Sequence, residues 1–267
     1  MFKNMQQKAE PPKRSIWSGR ISIGLVNVPV KLYTMIRDKS ISFRYLHKHD
    51  GAPLKYQKVC TLDKQVVPWE DIIKGYQIDE NEYVIFTKEE LEAIKPESDE
   101  RIRIEKFVNL ISIDPLYFDK SYILTPNKSK DAYSLMLTAF QKIGMAGVGK
   151  CTMKTKEHPV LIHEYKGSLI LTTLRYANEI VNPLDLEELN NLPKPTTEEL
   201  KLATKIIENL SDEFDIKEYK DGFKEKVEKI IEKKRKGETI IPERPQKEEA
   251  KELMVALRET LSKLEQQ

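Results

Sequence analysis

The run His47-Lys48-His49-Asp50 carries the side chains best suited to chemistry in this sequence. Imidazole and carboxylate together could hold a divalent cation, and a metal-activated water could cut a phosphodiester. The spacing argues against it. His47 and His49 sit two apart, on one face of a strand with a turn following, and no third acidic ligand stands at a diagnostic distance. A surface hairpin that meets phosphate or solvent suits the run better. Cys60 and Cys151 are far apart and lack the paired spacing of a zinc site. Gly144, Gly147 and Gly149 match neither a P-loop nor a dinucleotide fingerprint. Ser18-Gly19 and Gly167-Ser168 have no nucleophile-elbow context, and Asp114-Pro115 reads as a turn. Nothing here gives a positive reason to expect catalysis, a cofactor or a bound metal.

The basic residues say more. Net charge is only +2, but it is unevenly spread. Met1 to Cys60 holds 12 Lys+Arg against 3 Asp+Glu; Thr61 to Leu110 holds 7 against 13; Lys120 to Ile180 holds 9 against 4. Basic stretches that meet in space would make one strongly positive surface. If Met145–Thr155 is a strand, Lys150, Thr152 and Lys154 share one side with Lys156 just past its end, while Cys151 and Met153 face the interior. Lysines two apart on a strand recur every ~6.6 Å, a phosphate track. The hairpin around Asp50 similarly presents Arg44, Lys48, Lys55 and Lys58, with Tyr45 and Tyr56 between. Such side chains follow phosphates without reading bases; edge-strand lysines can also simply block aggregation. Neither a helix-turn-helix nor an RNA-recognition signature is evident.

These residues need a scaffold. The chain has 267 residues, 39% hydrophobic and 33% charged, enough for one large core or two small ones. No apolar run approaches the ~20 residues that span a bilayer, and the polar start lacks a signal-peptide stretch, so a cytoplasmic protein is expected. The first two-thirds read as strand: within Ile16–Tyr33, at Ile41–His47 and Leu54–Val59 around Asp50-Gly51, and at Tyr83–Phe86, Arg101–Ile113, Tyr122–Thr125, Met145–Thr155, Val160–Tyr165 and Ser168–Arg175. Many short strands without regular helices between them suggest an antiparallel barrel or sandwich. Thr87-Lys88-Glu89-Glu90 opens a short helix with a capping box. A second helix runs from Ser129 to Ile143, stops at Gly144, and should face the core with Leu135, Ala139 and Phe140. After Pro195 come two amphipathic helices, one with Leu200, Ala203, Ile206, Ile207 and Leu210 on a face, the next with Tyr219, Phe223, Val227, Ile230 and Ile231. Gly237 to Pro245 looks like a linker. Glu248–Leu264 then forms an isolated helix, marginal alone, whose Leu253, Met254, Leu257, Leu261 and Leu264 must dock on this core, a second subunit or another protein.

Ile16-Trp17-Ser18-Gly19-Arg20-Ile21-Ser22-Ile23-Gly24-Leu25, continuing to Tyr33, closely resembles the opening of the bacterial Ku core. Ser42–His47, Trp69–Tyr76, Ile113–Phe118, Ser121–Leu124, Leu171–Arg175 and Tyr219–Gly237 match in the same order. The resemblance covers nearly all of residues 13–264. It implies a mainly β fold with α: a Ku-type, seven-stranded β-barrel core over 1–195, with a long hairpin arm at about 42–79. It further implies a helical dimer-supporting region over 196–237, and a linker and partner-binding helix over 238–267. Two copies would form a ring around double-stranded DNA ends, without catalysis, associate with the nucleoid, and recruit the end-joining ATP-dependent DNA ligase. On this reading Arg20, Lys31, Arg37, Lys39, Arg44, Lys48, Lys55, Lys58, Lys150, Lys154 and Lys156 line the ring. Leu253, Met254, Leu257 and Leu261 bind the ligase, with packing against the chain's own core as the alternative. Some family members carry Cys-x-x-Cys at the arm; here Cys60-Thr61-Leu62-Asp63 lacks the second cysteine, so no zinc is expected. The lysine-rich tail of many bacterial relatives and the N-terminal α/β domain of the eukaryotic ones are not found in this sequence. Two other readings stay open: a metal-dependent nuclease on His47, His49 and Asp50, and a nucleoid protein that coats intact DNA.

Overall fold

The computed structural model describes residues 14–80, 82–94, 100–153, 156–238 and 253–264. The chain forms two compact units, one of residues up to Lys39 with Phe43–Val181, the other of Ser40–Ser42 with Asn182 onward. In chain order the strands are β1 (Trp17–Ile23), β2 (Val26–Thr34), β3 (Lys74–Asp79), β4 (Glu82–Phe86), β5 (Arg101–Asn109), β6 (Phe118–Pro126), β7 (Met145–Met153), β8 (Lys156–Tyr165) and β9 (Ser168–Leu174). The helices are α1 (Lys88–Ala93), α2 (Lys130–Ile143), α3 (Thr197–Asn209), α4 (Gly222–Arg235) and α5 (Leu253–Leu264).

Seven strands close into a barrel in the order β1-β2-β6-β9-β8-β7-β5. Period-two alternation builds it. Ile21, Val30, Leu32, Ile102, Leu124, Val160, Ile162, Leu169 and Leu171 point inward and are buried, while the residues between them on β1, β2 and β5 face out. Tight turns set the register. Gly24 has positive φ in the two-residue β1–β2 turn, and Lys166 and Gly167 both have positive φ between β8 and β9, as a type I′ turn requires. Six of the seven seams are antiparallel. The seventh, which closes the barrel, pairs β1 with β5 in parallel: Arg20 with Arg101, Ile21 with Ile102 and Ser22 with Arg103. The Arg20 amide donates to the Glu100 carbonyl at 2.9 Å beside this seam.

Helix α2 packs on β2, β6, β7 and β8. It buries Tyr133 and Phe140, with Ala132, Met136 and Leu137 partly buried against the core. The Tyr133 hydroxyl donates to the Leu124 carbonyl at 2.7 Å and accepts from the Leu169 amide at 3.1 Å, pinning the helix to β6 and β9. The expected core face was off by part of a turn. Leu135 is 74% exposed and Ala139 is exposed. Leu135 lies about 200° round the helix from Tyr133, so one cannot be buried with the other. Ser129 stands at the N-cap without a side-chain cap bond, whereas Gly144 ends the helix left-handed as expected.

Where continuous strands were expected at Ile41–His47 and Leu54–Val59, the chain makes only the isolated bridges Leu46–Pro53 and Val59–Val66, followed by the β3–β4 hairpin. Phe43, Tyr45, Leu54 and Tyr56 are all exposed, so alternation has no surface to bury against within this chain. In the second unit a Thr196–Glu199 capping box opens α3. On α3 it is Leu202, Ala203 and Ile206 that are half-buried, while Leu200, Ile207 and Leu210 are exposed. Helix α4 begins at Gly222, after Tyr219, because the Asp221 carboxylate caps it through the Lys224 amide at 3.0 Å.

β7 approaches β5 so closely that a Cβ on Gly149 would overlap the Arg103 carbonyl oxygen, next to the irregularity between Ile104 and Lys106. Gly149→Ala is therefore expected to destabilise the barrel by about 1–3 kcal/mol through overpacking. Urea unfolding would show it as a lower midpoint; an unchanged midpoint would mean the seam gives way freely.

Candidate nucleic-acid interface

Because β1, β2, β5 and β7 are neighbours and alternate in and out, their outward positions gather on one outer face. Arg20 on β1 stands opposite Arg101 on β5, and Arg103 on β5 stands opposite Lys150 on β7. Lys31 on β2 stands opposite Ser18 on β1. Adjacent strands are ~4.8 Å apart, so cations recur across the sheet at roughly that interval. Like charges directly opposite one another destabilise a ladder. The fold nevertheless sets arginine against arginine and arginine against lysine across these seams. The stripe is tempered by acids: Glu157 lies 3.1 Å from the Lys150 ammonium. That hydrogen bond and charge, with Glu105 adding to them, hold Lys150 protonated above its ordinary range.

Arg101 and Arg103 were not singled out from sequence. Their signal was present, since Ile102 and Ile104 alternate with them and are buried, which puts both arginines outside. It was masked by the acidic balance of the surrounding stretch and by ladder partners far away in sequence.

The other expected basic residues fall into three groups. Arg37, Lys39, Arg44, Lys48, Lys55 and Lys58 are exposed on the loop after β2 and on the arm. The Lys58 ammonium lies 4.1 Å from the centre of the Trp69 ring, itself 76% exposed. Lys154 lies outside the described residues. Lys156 departs from the expected geometry. The β7 strand ends at Met153, and Lys156 opens β8 opposite Met153. Facing residues share a side, so Lys156 belongs with Met153 and His158, on the side of the sheet away from Lys150. It lines a cleft of about 220 Å³ with Asp119, His158, Arg175, Tyr176 and Glu179, and lies 3.8 Å from Glu179. Burial, then the charge of Lys156, pushes His158 below its ordinary pKa.

Two turns on the arm share one construction. In the first, the His47 amide donates to Ala52 and Gly51 donates back to His47; in the second, Cys60 donates to Gln65 and Lys64 donates back to Cys60. Gly51 and Lys64 both have positive φ. Each turn ends in a carboxylate that accepts a backbone amide, Asp50 from Ala52 and Asp63 from Gln65. That bond first, then a side chain three residues back (His47 or Cys60), lowers each carboxyl below its usual range. His47 Nδ1 is 2.9 Å from Asp50. Among the described residues no three metal-binding side chains converge, and neither Cys60 nor Cys151 is in a disulfide.

In the second unit α5 packs along α3. Met254, Leu257 and Leu261 are half-buried, whereas Leu253 is 62% exposed. Arg258 donates to Glu198 of α3 at 2.9 Å.

Residues 22–202 match the family model described as the Ku70/Ku80 beta-barrel domain. The chain is 38% identical over 251 residues to the non-homologous end joining protein Ku of Anaeromyxobacter sp. (strain K), covering 93% of this chain and 84% of that one. It is 37% identical to the protein of the same name from Archaeoglobus fulgidus, covering 93% and 98%. The Bacillus subtilis (strain 168) protein of that name is 32% identical, covering 93% and 82%.

If the outer stripe contacts phosphate, reversing Arg20 and Arg103 to Glu together should flatten the log K against log salt slope for a short duplex by about 2, near 0.9 per phosphate lost. Lys156→Glu, on the other side of the sheet, should leave the slope unchanged in the same anisotropy titration. Equal losses from both changes would remove the outer face from the interface.

Proposed function

The chain belongs to the Ku family, and from that premise we propose that it captures double-stranded DNA ends without regard to sequence, as a homodimeric ring acting in non-homologous end joining. The observation that carries this is the cross-strand stripe of Lys31, Arg20, Arg101, Arg103 and Lys150 on a rigid barrel face. It offers charge in a fixed array to a polymer of regularly spaced phosphates. Strand-borne cations follow a backbone and leave the base edges unread. Arg37, Lys39, Arg44, Lys48, Lys55 and Lys58 extend that surface along the loop after β2 and the arm, and Lys154 belongs to the same proposed set.

The ring reading draws on the arm. Of its many exposed apolar side chains, Phe43, Tyr45, Tyr56, Trp69, Tyr76 and Ile78 are each more than half open to solvent in the single chain. A second copy of the same chain would cover them and close a hole around the duplex. Weak phosphate contacts then suffice, because a closed ring lets DNA slide yet holds it against sideways escape. The protein needs no reaction of its own. It holds ends and hands them to the end-joining ATP-dependent DNA ligase, which Leu253, Met254, Leu257 and Leu261 of α5 engage, in the cytoplasm at the nucleoid. No helix among the described residues is long and apolar enough to cross a membrane.

A linear fragment should be captured tightly, and the same DNA as a covalently closed circle should be held only weakly, at matched salt. Equal capture of the circle would favour a coating protein; chelator-sensitive cutting would favour a nuclease. Deleting residues 246–267 should spare end binding and reduce stimulation of ligation. A monomer by light scattering at working concentration would end the ring reading.

A further inference from the structure

Three of the four residues assigned above to the ligase, Met254, Leu257 and Leu261, are already half-buried in the free chain on a helix packed along α3. The half-buried apolar positions of α3 are Leu202, Ala203 and Ile206. One face cannot serve two partners at once. The contact is also slight. Helix α5 has only 12 residues. An ion pair across it, Arg258 with Glu198, is about two-thirds exposed on both sides, at 65% and 64%, and pairs so placed contribute little. Beyond the apolar row, Leu253 and Val255 of α5 remain exposed, at 62% and 45%. A helix of this length is marginal alone in water, so it forms where a surface receives it. Two surfaces competing for one short helix make a two-state element.

We propose that the α3–α5 contact is an autoinhibitory latch: docked on α3, the helix withholds its apolar row, and the ligase binds the released form. This rests on the ligase-recruitment reading. The ligase's apparent affinity is then its intrinsic affinity scaled by the released fraction. Leu253 and Val255, left uncovered in the docked state, give the ligase a first foothold before release.

The test changes α3 alone and leaves every α5 residue intact. Glu198→Lys removes the ion pair and sets like charges together; Ala203→Arg puts a long charged side chain into the contact. Both should speed hydrogen exchange of the α5 amides in the free protein. The cognate ATP-dependent end-joining ligase should bind the full-length Glu198→Lys protein roughly two- to fivefold more tightly, and the Ala203→Arg protein more tightly still. Deleting residues 246–267 is run alongside. If the deletion abolishes ligase binding but both α3 variants bind it unchanged, the latch is overturned and recruitment stands. If the deletion leaves ligase binding intact, recruitment itself falls, and the latch with it. Unaltered α5 exchange in both variants would also overturn the latch, whatever the ligase does.

Discussion

The parallel seam between β1 and β5 is the constraint on which the barrel depends. Every other seam joins antiparallel strands, three of the six through two-residue connections that need little help. This one joins segments separated by the whole arm, and it is short, three residue pairs with the Arg20–Glu100 bond beside it. Close approach makes it possible. A Cβ on Gly19 would overlap the Glu100 carbonyl, as one on Gly149 would overlap Arg103. Small residues thus stand on both flanks of β5, and Ile21 and Ile102 meet in the interior, each fully buried.

The same seam creates the charge pattern. Without it Arg20 would not face Arg101, and without the β5–β7 ladder Arg103 would not face Lys150. Within the stripe, Glu157 pairs with Lys150 at 3.1 Å. Membership of the Ku family, whose members are end-joining factors that bind DNA, agrees with a face that has charge but no evident base-reading pairs.

Local chemistry was legible in the sequence; register was not. The capping box at Thr87, the helix start after Pro195, the left-handed stop at Gly144 and most barrel strands follow from a few neighbouring residues each, and each formed. The misses share a cause. Leu135 was placed inward because apolar residues attract that reading, but the helix was fixed by Tyr133 reaching Leu124 and Leu169. Lys156 was grouped with Lys150 by counting through a turn, which resets the alternation. Arg101 and Arg103 were passed over because their neighbours across the ladder lie about 50 to 80 residues away. On the arm, alternation was read as strand although one chain supplies nothing for it to pack on.

The route of the chain between Thr34 and Arg101 has a further consequence. Between Met35, whose amide donates to the Ser121 carbonyl, and Glu100, whose carbonyl accepts from the Arg20 amide, the chain runs from β2 to β5 as an excursion that the barrel must close. Closure entropy grows with the logarithm of length, and doubling such an excursion costs only about 0.6 kcal/mol. Insertions or deletions between the two turned segments could therefore change the length of that excursion while the cylinder kept its register. The excursion is free to vary; its footing is not.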